Sequence, residues 1–334
     1  MLIKIFRSSY FLQYILFVVL SGILWLSGFI TPIFDTTETN TFLAPAYSIL
    51  FQFVISHSLI STTIAFILVL SGALFFNFTL TKNDIAPKNT LIPAMVFLLL
   101  MSHSPGLLYL HEALIPSVLL LIVIYFLFQV YTTEDAYPQV FNSGLLIGIS
   151  SFFYFPSIYL LLFVWLTFIV FSLYKWREWT IVFFGFITPY VFLWTYYLWN
   201  DELNLAFNAY HDYFNSISFF IFSYSCSVLS YFISAIIILL FLWSFFQMTS
   251  SIQEKLINIR KKFWSVFWLF LTALFILIIS GSTSNTQQVF LLIPFSVFIA
   301  YGFSRTTKLI WIELTVSILA ILIIINNLTA IFYR

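Results

Sequence analysis

Charge is scarce in this chain of 334 residues: Lys and Arg number 13, Asp and Glu 12, together 7%, against about 25% in an ordinary soluble domain. So few ionisable side chains cannot clothe a water-soluble fold, and that class is excluded. A formal net charge of +1 leaves no basic face that could neutralise a run of phosphates, so nucleic acid is not an expected partner. The single cysteine, Cys226, excludes an internal disulfide and a two-Cys metal or redox motif. No Gly-rich phosphate loop, zinc motif, Ser-His-Asp spacing or long Arg row occurs.

What fills the chain is apolar: 62% of residues, with a mean hydropathy of +1.05. Apolar runs separated by polar breaks predict an all-α, polytopic transmembrane helical bundle of about eleven spans. These cover approximately 10–30, 60–80, 90–103, 114–131, 143–156, 157–174, 180–198, 229–248, 263–281, 287–304 and 309–328. Eleven spans of about 20 residues take about 220 positions, leaving short connections and one integral membrane domain, 1–334. The first apolar stretch, from Tyr10 to Ile30, lacks an Ala-x-Ala-like exit and reads as a retained span.

A cytoplasmic N-terminus puts twelve of the thirteen cations inside, with Arg334 alone outside. Cytoplasmic connections of membrane proteins are enriched in Lys and Arg, so this count supports both the span assignment and the orientation. The same assignment sends Asp35, Glu38, Glu112, Asp201, Glu202, Asp212 and all four histidines outward. Any reaction site is therefore expected on the outer side. Spans three and five have about 14 residues and reach about 21 Å of a core about 30 Å thick. If they fall short outward, Ser102 to Gly106 and the turn at Pro156 lie at membrane depth, where irregular backbone needs protein or a water-filled cavity around it. The expectation is an outward-open cleft whose wall carries His103, His111 and Glu112, roofed by an interfacial helix over 44–58.

Asp35 and Glu38 follow span one in a Phe-Asp-Thr-Thr-Glu segment. A carboxylate held at the bilayer surface can act as a general base toward an acceptor hydroxyl, although a solvated acidic loop would look the same. His103 and His111, with a nearby acid such as Glu112, allow a mixed N/O site for a divalent metal ion; helix-end caps and interfacial hydrogen bonds account for them equally well. His211 beside Asp212 reads most simply as part of a half-buried interfacial helix. Gly144 and Gly148 form a small-xxx-small spacing that lets span five approach a neighbour closely. Spans without a central ionisable group argue against an ion-coupled transporter.

The segment Phe141-Asn-Ser-Gly-Leu-Leu-Ile-Gly-Ile-Ser-Ser-Phe-Phe-Tyr-Phe-Pro-Ser157, with Tyr174-Lys-Trp-Arg-Glu-Trp179 and Gly185-Phe-Ile-Thr-Pro-Tyr190, resembles a bacterial domain-of-unknown-function family of polytopic inner-membrane proteins about this long. That resemblance implies location in the bacterial inner membrane and supplies no activity. More loosely, the acidic first outer connection, the interfacial helix and the short fifth span are similar to the C-type membrane glycosyltransferases. That likeness implies transfer of a sugar from a polyprenyl-phosphate carrier on the exoplasmic side, with Asp35 as base and Glu38 or Glu112 positioning the acceptor or a metal. The sequence departs from it in lacking an outer cation for the phosphate, apart from Arg334. Two alternatives stand beside it: a non-catalytic subunit that organises a membrane-protein partner, and a transporter.

Overall fold

The computed structural model describes residues 2–31, 44, 46, 57–133, 136–201, 211, 227–280, 285–306 and 309–332. Among them the chain is helical with no strand. The helices are α1 (Leu2–Phe6), α2 (Phe11–Ile30), α3 (Ser58–Lys82), α4 (Ile92–Met101), α5 (Leu114–Val130), α6 (Tyr137–Ser151), α7 (Leu160–Phe171), α8 (Trp176–Trp199), α9 (Val228–Ser251), α10 (Ile257–Ser280), α11 (Val289–Arg305) and α12 (Leu309–Phe332). Seven of them, α2, α3, α8, α9, α10, α11 and α12, are long and apolar enough to cross a bilayer. With these the chain is an integral membrane protein. Each of the eleven runs expected from sequence contains a helix, but the four outside those seven, α4, α5, α6 and α7, have only 10 to 17 residues, while α11 with its own 17 is extended at its start by the 3-10 turn Asn285–Gln288.

The shortest of the four corrects the reading of span three. All ten residues of α4 are buried, and its sequence, Ile-Pro-Ala-Met-Val-Phe-Leu-Leu-Leu-Met, is apolar on every face. A helix of that kind belongs inside protein, and at 1.5 Å per residue it rises only about 15 Å. It packs between α3 and α11, and α11 is itself buried along most of its length. Around this pair, α9, α10 and α7 close one side, and α2 and α12 another. The α5–α6–α8 series extends the bundle laterally, with α8 joined to it through α6.

Among the described helices, α8 and α6 share the most extensive contact. The physical reason is glycine on both sides. A Cβ added at Gly144 would run into the Val182 carbonyl, one at Gly185 into the Phe141 carbonyl, and one at Gly148 would lie 2.6 Å from the Phe186 carbonyl. Lipid provides no hydrophobic drive between helices, so their association depends on such close backbone approach. The small-residue face inferred from sequence is thus occupied within the chain by α8, at Gly185 and at Pro189, whose ring would lie 3.1 Å from a Cβ at Gly148.

Contacts sort the two ends of the bundle. At one end Lys261 Nζ donates to Ser172 Oγ at the C-cap of α7 (3.0 Å), Lys262 Nζ to Asn83 Oδ1 at the C-cap of α3 (2.9 Å), and Arg305 to Glu254 (2.8 Å). The N-terminus is tied there too, with the Leu91 N–H donating to the Phe6 carbonyl at 2.8 Å. Cations at these C-termini complement the partial negative charge of exposed carbonyls. All described Lys and Arg belong to this end, and His57, His103 and His111 belong to the other.

Candidate functional site

At the histidine end the connection 102–113 does not wall an open cleft. It is a packed plug in which Ser102, His103, Ser104, Leu107, Leu108, Tyr109, Leu110, His111 and Ala113 are all buried. Trp25 Nε1 donates to Ser102 Oγ at 3.0 Å, and Asn327 Nδ2 to the Ser102 carbonyl at 3.0 Å. Asn326 bridges the plug to α9, its Nδ2 donating to the His103 carbonyl (3.4 Å) and its Oδ1 accepting from Ser227 (3.0 Å). Gly28 lets α2 approach closely, because a Cβ there would lie 3.1 Å from the Leu108 carbonyl. The two amides of α12 thus supply donors to irregular backbone that is enclosed by protein, the condition under which such backbone is tolerated within a membrane protein.

The imidazoles of His103 and His111 are buried in this arrangement. His103 Nδ1 lies 2.7 Å from the Leu100 carbonyl. Its burial lowers its pKa, against the raising effect of that bond and of Gln288. His111 is 1% exposed, its ring meets Tyr109 edge to face at 5.9 Å, and its Nδ1 has no hydrogen-bond partner among the described residues. Burial pushes its pKa down as well. Glu112 beside it is half-buried. No three His, Cys, Asp or Glu converge among the described residues, so the described residues do not build the metal site that His103, His111 and Glu112 allowed. Asp35 and Glu38 lie outside the described residues, as do Asp212, Glu202 and Cys226.

A neutral buried histidine has a pH consequence. An unfolded imidazole titrates near about 6.5, whereas the folded value of His111 is lower. Its contribution is therefore fully present above that pH and is lost as pH falls, since protonation favours the unfolded chain. The thermal midpoint of the wild type in detergent should drop more between pH 7.5 and pH 5 than that of His111→Gln. Equal drops would show that His111 does not report on folding.

Among the described residues, a feature at this end that is open to a ligand is apolar. A groove of about 440 Å³ runs between the second halves of α6 and α8, lined by Leu145, Ile149, Phe152, Pro189, Phe192 and Tyr196. Phe192 and Tyr196 stand largely exposed along its rim, and Ser151 Oγ and Tyr190 Oη meet at 2.6 Å beside it. At its mouth the backbone N–H of Ala46 donates to the Phe152 carbonyl at 3.0 Å, and nearby in sequence Ala44 is buried. Ala46 is thereby tied to the C-cap of α6 beside the groove; Asp35 and Glu38 precede it in sequence by eleven and eight positions. No Lys or Arg stands at this end among the described residues.

Sequence reasoning located the short fifth helix and its turn but missed the groove, the Ser151–Tyr190 pair and the Trp25–Ser102–Asn327 knot. Adjacent amides at Asn326 and Asn327, near the end of an apolar run, were the available signal, because polar groups there need partners. No known protein family, curated protein or solved structure matches the chain.

Proposed function

We propose that this protein is a multi-pass enzyme of the bacterial inner membrane, with its cation-rich end in the cytoplasm, and that it transfers a sugar from a polyprenyl-phosphate carrier on the exoplasmic side. The observation that carries the reading is the groove between α6 and α8, apolar along its length, with the Ala46 N–H on the Phe152 carbonyl beside it; Asp35 and Glu38 stand eleven and eight positions before Ala46 in the sequence. Within a bilayer an apolar groove of this kind is filled by hydrocarbon, and a polyprenyl chain is hydrocarbon throughout. Asp35 takes the proton of the acceptor hydroxyl, and Glu38 or Glu112 orients that acceptor. The phosphate's charge has to be met by donors outside the described residues, Arg334 being the cation that the sequence assigns to this side. The presence of all the described Lys and Arg at the opposite end supports the orientation.

Mass spectrometry of lipid that co-purifies in mild detergent tests this directly. Polyprenyl phosphate should accompany the wild type and be depleted from Leu145→Trp, which fills the groove, while Asp35→Asn should retain the lipid and lose sugar transfer. A stoichiometric second polypeptide without polyprenyl lipid would support the scaffold reading and contradict this one.

A further inference from the structure

At the opposite, cation-rich end lies a second cavity, of about 620 Å³, open to the surface and lined by the connection after α3 and by the ends of α9 and α11. Its volume is within the range of small-molecule sites, about 300–1,000 Å³. Unlike the groove it is lined by charge: Lys88, Lys255 and Arg305 face it against one carboxylate, Asp84, with the hydroxyls of Tyr301 and Ser304 beside them. We propose that this cavity is a phosphate-binding site, which takes either the headgroup of an anionic phospholipid in the adjacent leaflet or a soluble phosphate.

The charges are only partly consumed internally. Lys255 has no carboxylate partner among the described residues; its Nζ sits 5.9 Å from the centroid of the Tyr301 ring. Lys88 and Asp84 are 3.7 Å apart with both side chains mostly in solvent, a pairing of little strength that an incoming dianion replaces. Arg305 gives one N–H to Glu254 (2.8 Å) and one to Tyr301 (3.3 Å), which leaves the remaining donors of its five for an anion. Planar, multiply donating guanidinium beside a point-charge ammonium is the combination that phosphate recognition uses. With Lys262 behind the wall, four cations stand against the carboxylates Asp84 and Glu254 and the fractional negative ends of α9 and α11, which leaves a positive balance.

The walls are held in shape. Ser251 Oγ meets Tyr301 Oη at 2.9 Å. Asp84 (φ 55°) and Asn89 (φ 64°) take left-handed conformations, fixed between buried Ile85 and Ala86 and by the Thr90 hydroxyl, which donates to the Phe6 carbonyl at 3.2 Å. Behind this connection the buried Lys262 is locked on Asn83 and adds positive potential. Basic pockets at the ends of membrane helices are where anionic headgroups collect. The site is at the other end of the bundle from the groove and stands or falls independently of it.

The test uses the full-length protein, delipidated in detergent, with thermal midpoint and native mass spectrometry as readouts. The probes are phosphatidylglycerol, phosphatidylcholine and inorganic phosphate. Stabilisation and retention of phosphatidylglycerol, absent with phosphatidylcholine, identifies the headgroup as the source; stabilisation by inorganic phosphate alone identifies the soluble anion. In either case Lys255→Gln and Arg305→Gln should each weaken the effect about fivefold, while Lys175→Gln, which removes an exposed cation at the same end outside the cavity, should leave it unchanged. No stabilisation by either anion, or an equal loss in all three variants, would overturn the proposal. Monodispersity of each variant without ligand separates a binding defect from a folding defect.

Discussion

Gly144→Ala and Gly185→Ala should each destabilise the protein by about 3 kcal/mol or more, the upper end of overpacking effects, and depress the thermal midpoint by roughly 6 °C or more. Elsewhere in a helix the same change is favourable, since alanine is the better helix former by about 1 kcal/mol. Here the added methyl meets backbone, the Val182 carbonyl in one case and the Phe141 carbonyl in the other, and no rotamer change can move it aside. Relief requires α8 to withdraw from α6 along the contact by which α8 is held. Gly22→Ala is the internal control, because nothing lies within 4 Å of a Cβ there; it should be neutral or stabilising. The measurement is the midpoint of heat-induced aggregation in detergent. Indifference of Gly144 and Gly185 to alanine would mean that α6 and α8 do not touch as described.

Trp25→Ala should cost about 3 kcal/mol. The indole is completely buried, stacks edge to face on Phe66 at 5.7 Å and donates to Ser102. In lipid the transfer part of the penalty is small, but the cavity and the lost dispersion contacts remain. Trp25→Phe separates the two roles, keeping most of the ring and losing only the N–H, for about 1 kcal/mol. Because the indole pins the connection 102–113, the alanine variant should also open that segment: His103 and His111 backbone amides should exchange with deuterium far faster than in the wild type. Equal exchange in both would show that the plug is held by Asn326 and Asn327 without Trp25.

The helical architecture was legible because lipid imposes a strong pattern: each apolar run of the sequence became a helix at nearly the expected position. Length alone was not decisive for which of them span. Residues 92–101 are as apolar as any lipid-facing stretch, yet α4 is enclosed on every side, and hydropathy cannot distinguish burial in protein from burial in lipid. For the same reason His103 and His111 looked like the wall of a cleft. Their sequence positions beside Ser, Pro and Gly indicated irregular backbone at depth, but only the packing of α2 and α12 decides whether water or protein fills the space. The Gly144–Gly148 spacing announced a close approach without naming its partner, which is Gly185 of the same chain. Lys88, Lys255 and Arg305 come from three separate turns, and their convergence had no sequence signature.

The functional reading depends on which end of the bundle faces the envelope, and cysteine labelling measures that most directly. In a Cys226→Ser background, Asn200→Cys places a thiol at the exposed C-cap of α8 near the groove, and Lys175→Cys places one at the opposite end of the same helix. A membrane-impermeant maleimide applied to intact spheroplasts should label the first at once and the second only after permeabilisation. Labelling of Lys175→Cys in intact cells, with Asn200→Cys protected, would put the groove mouth in the cytoplasm and contradict the proposed enzyme.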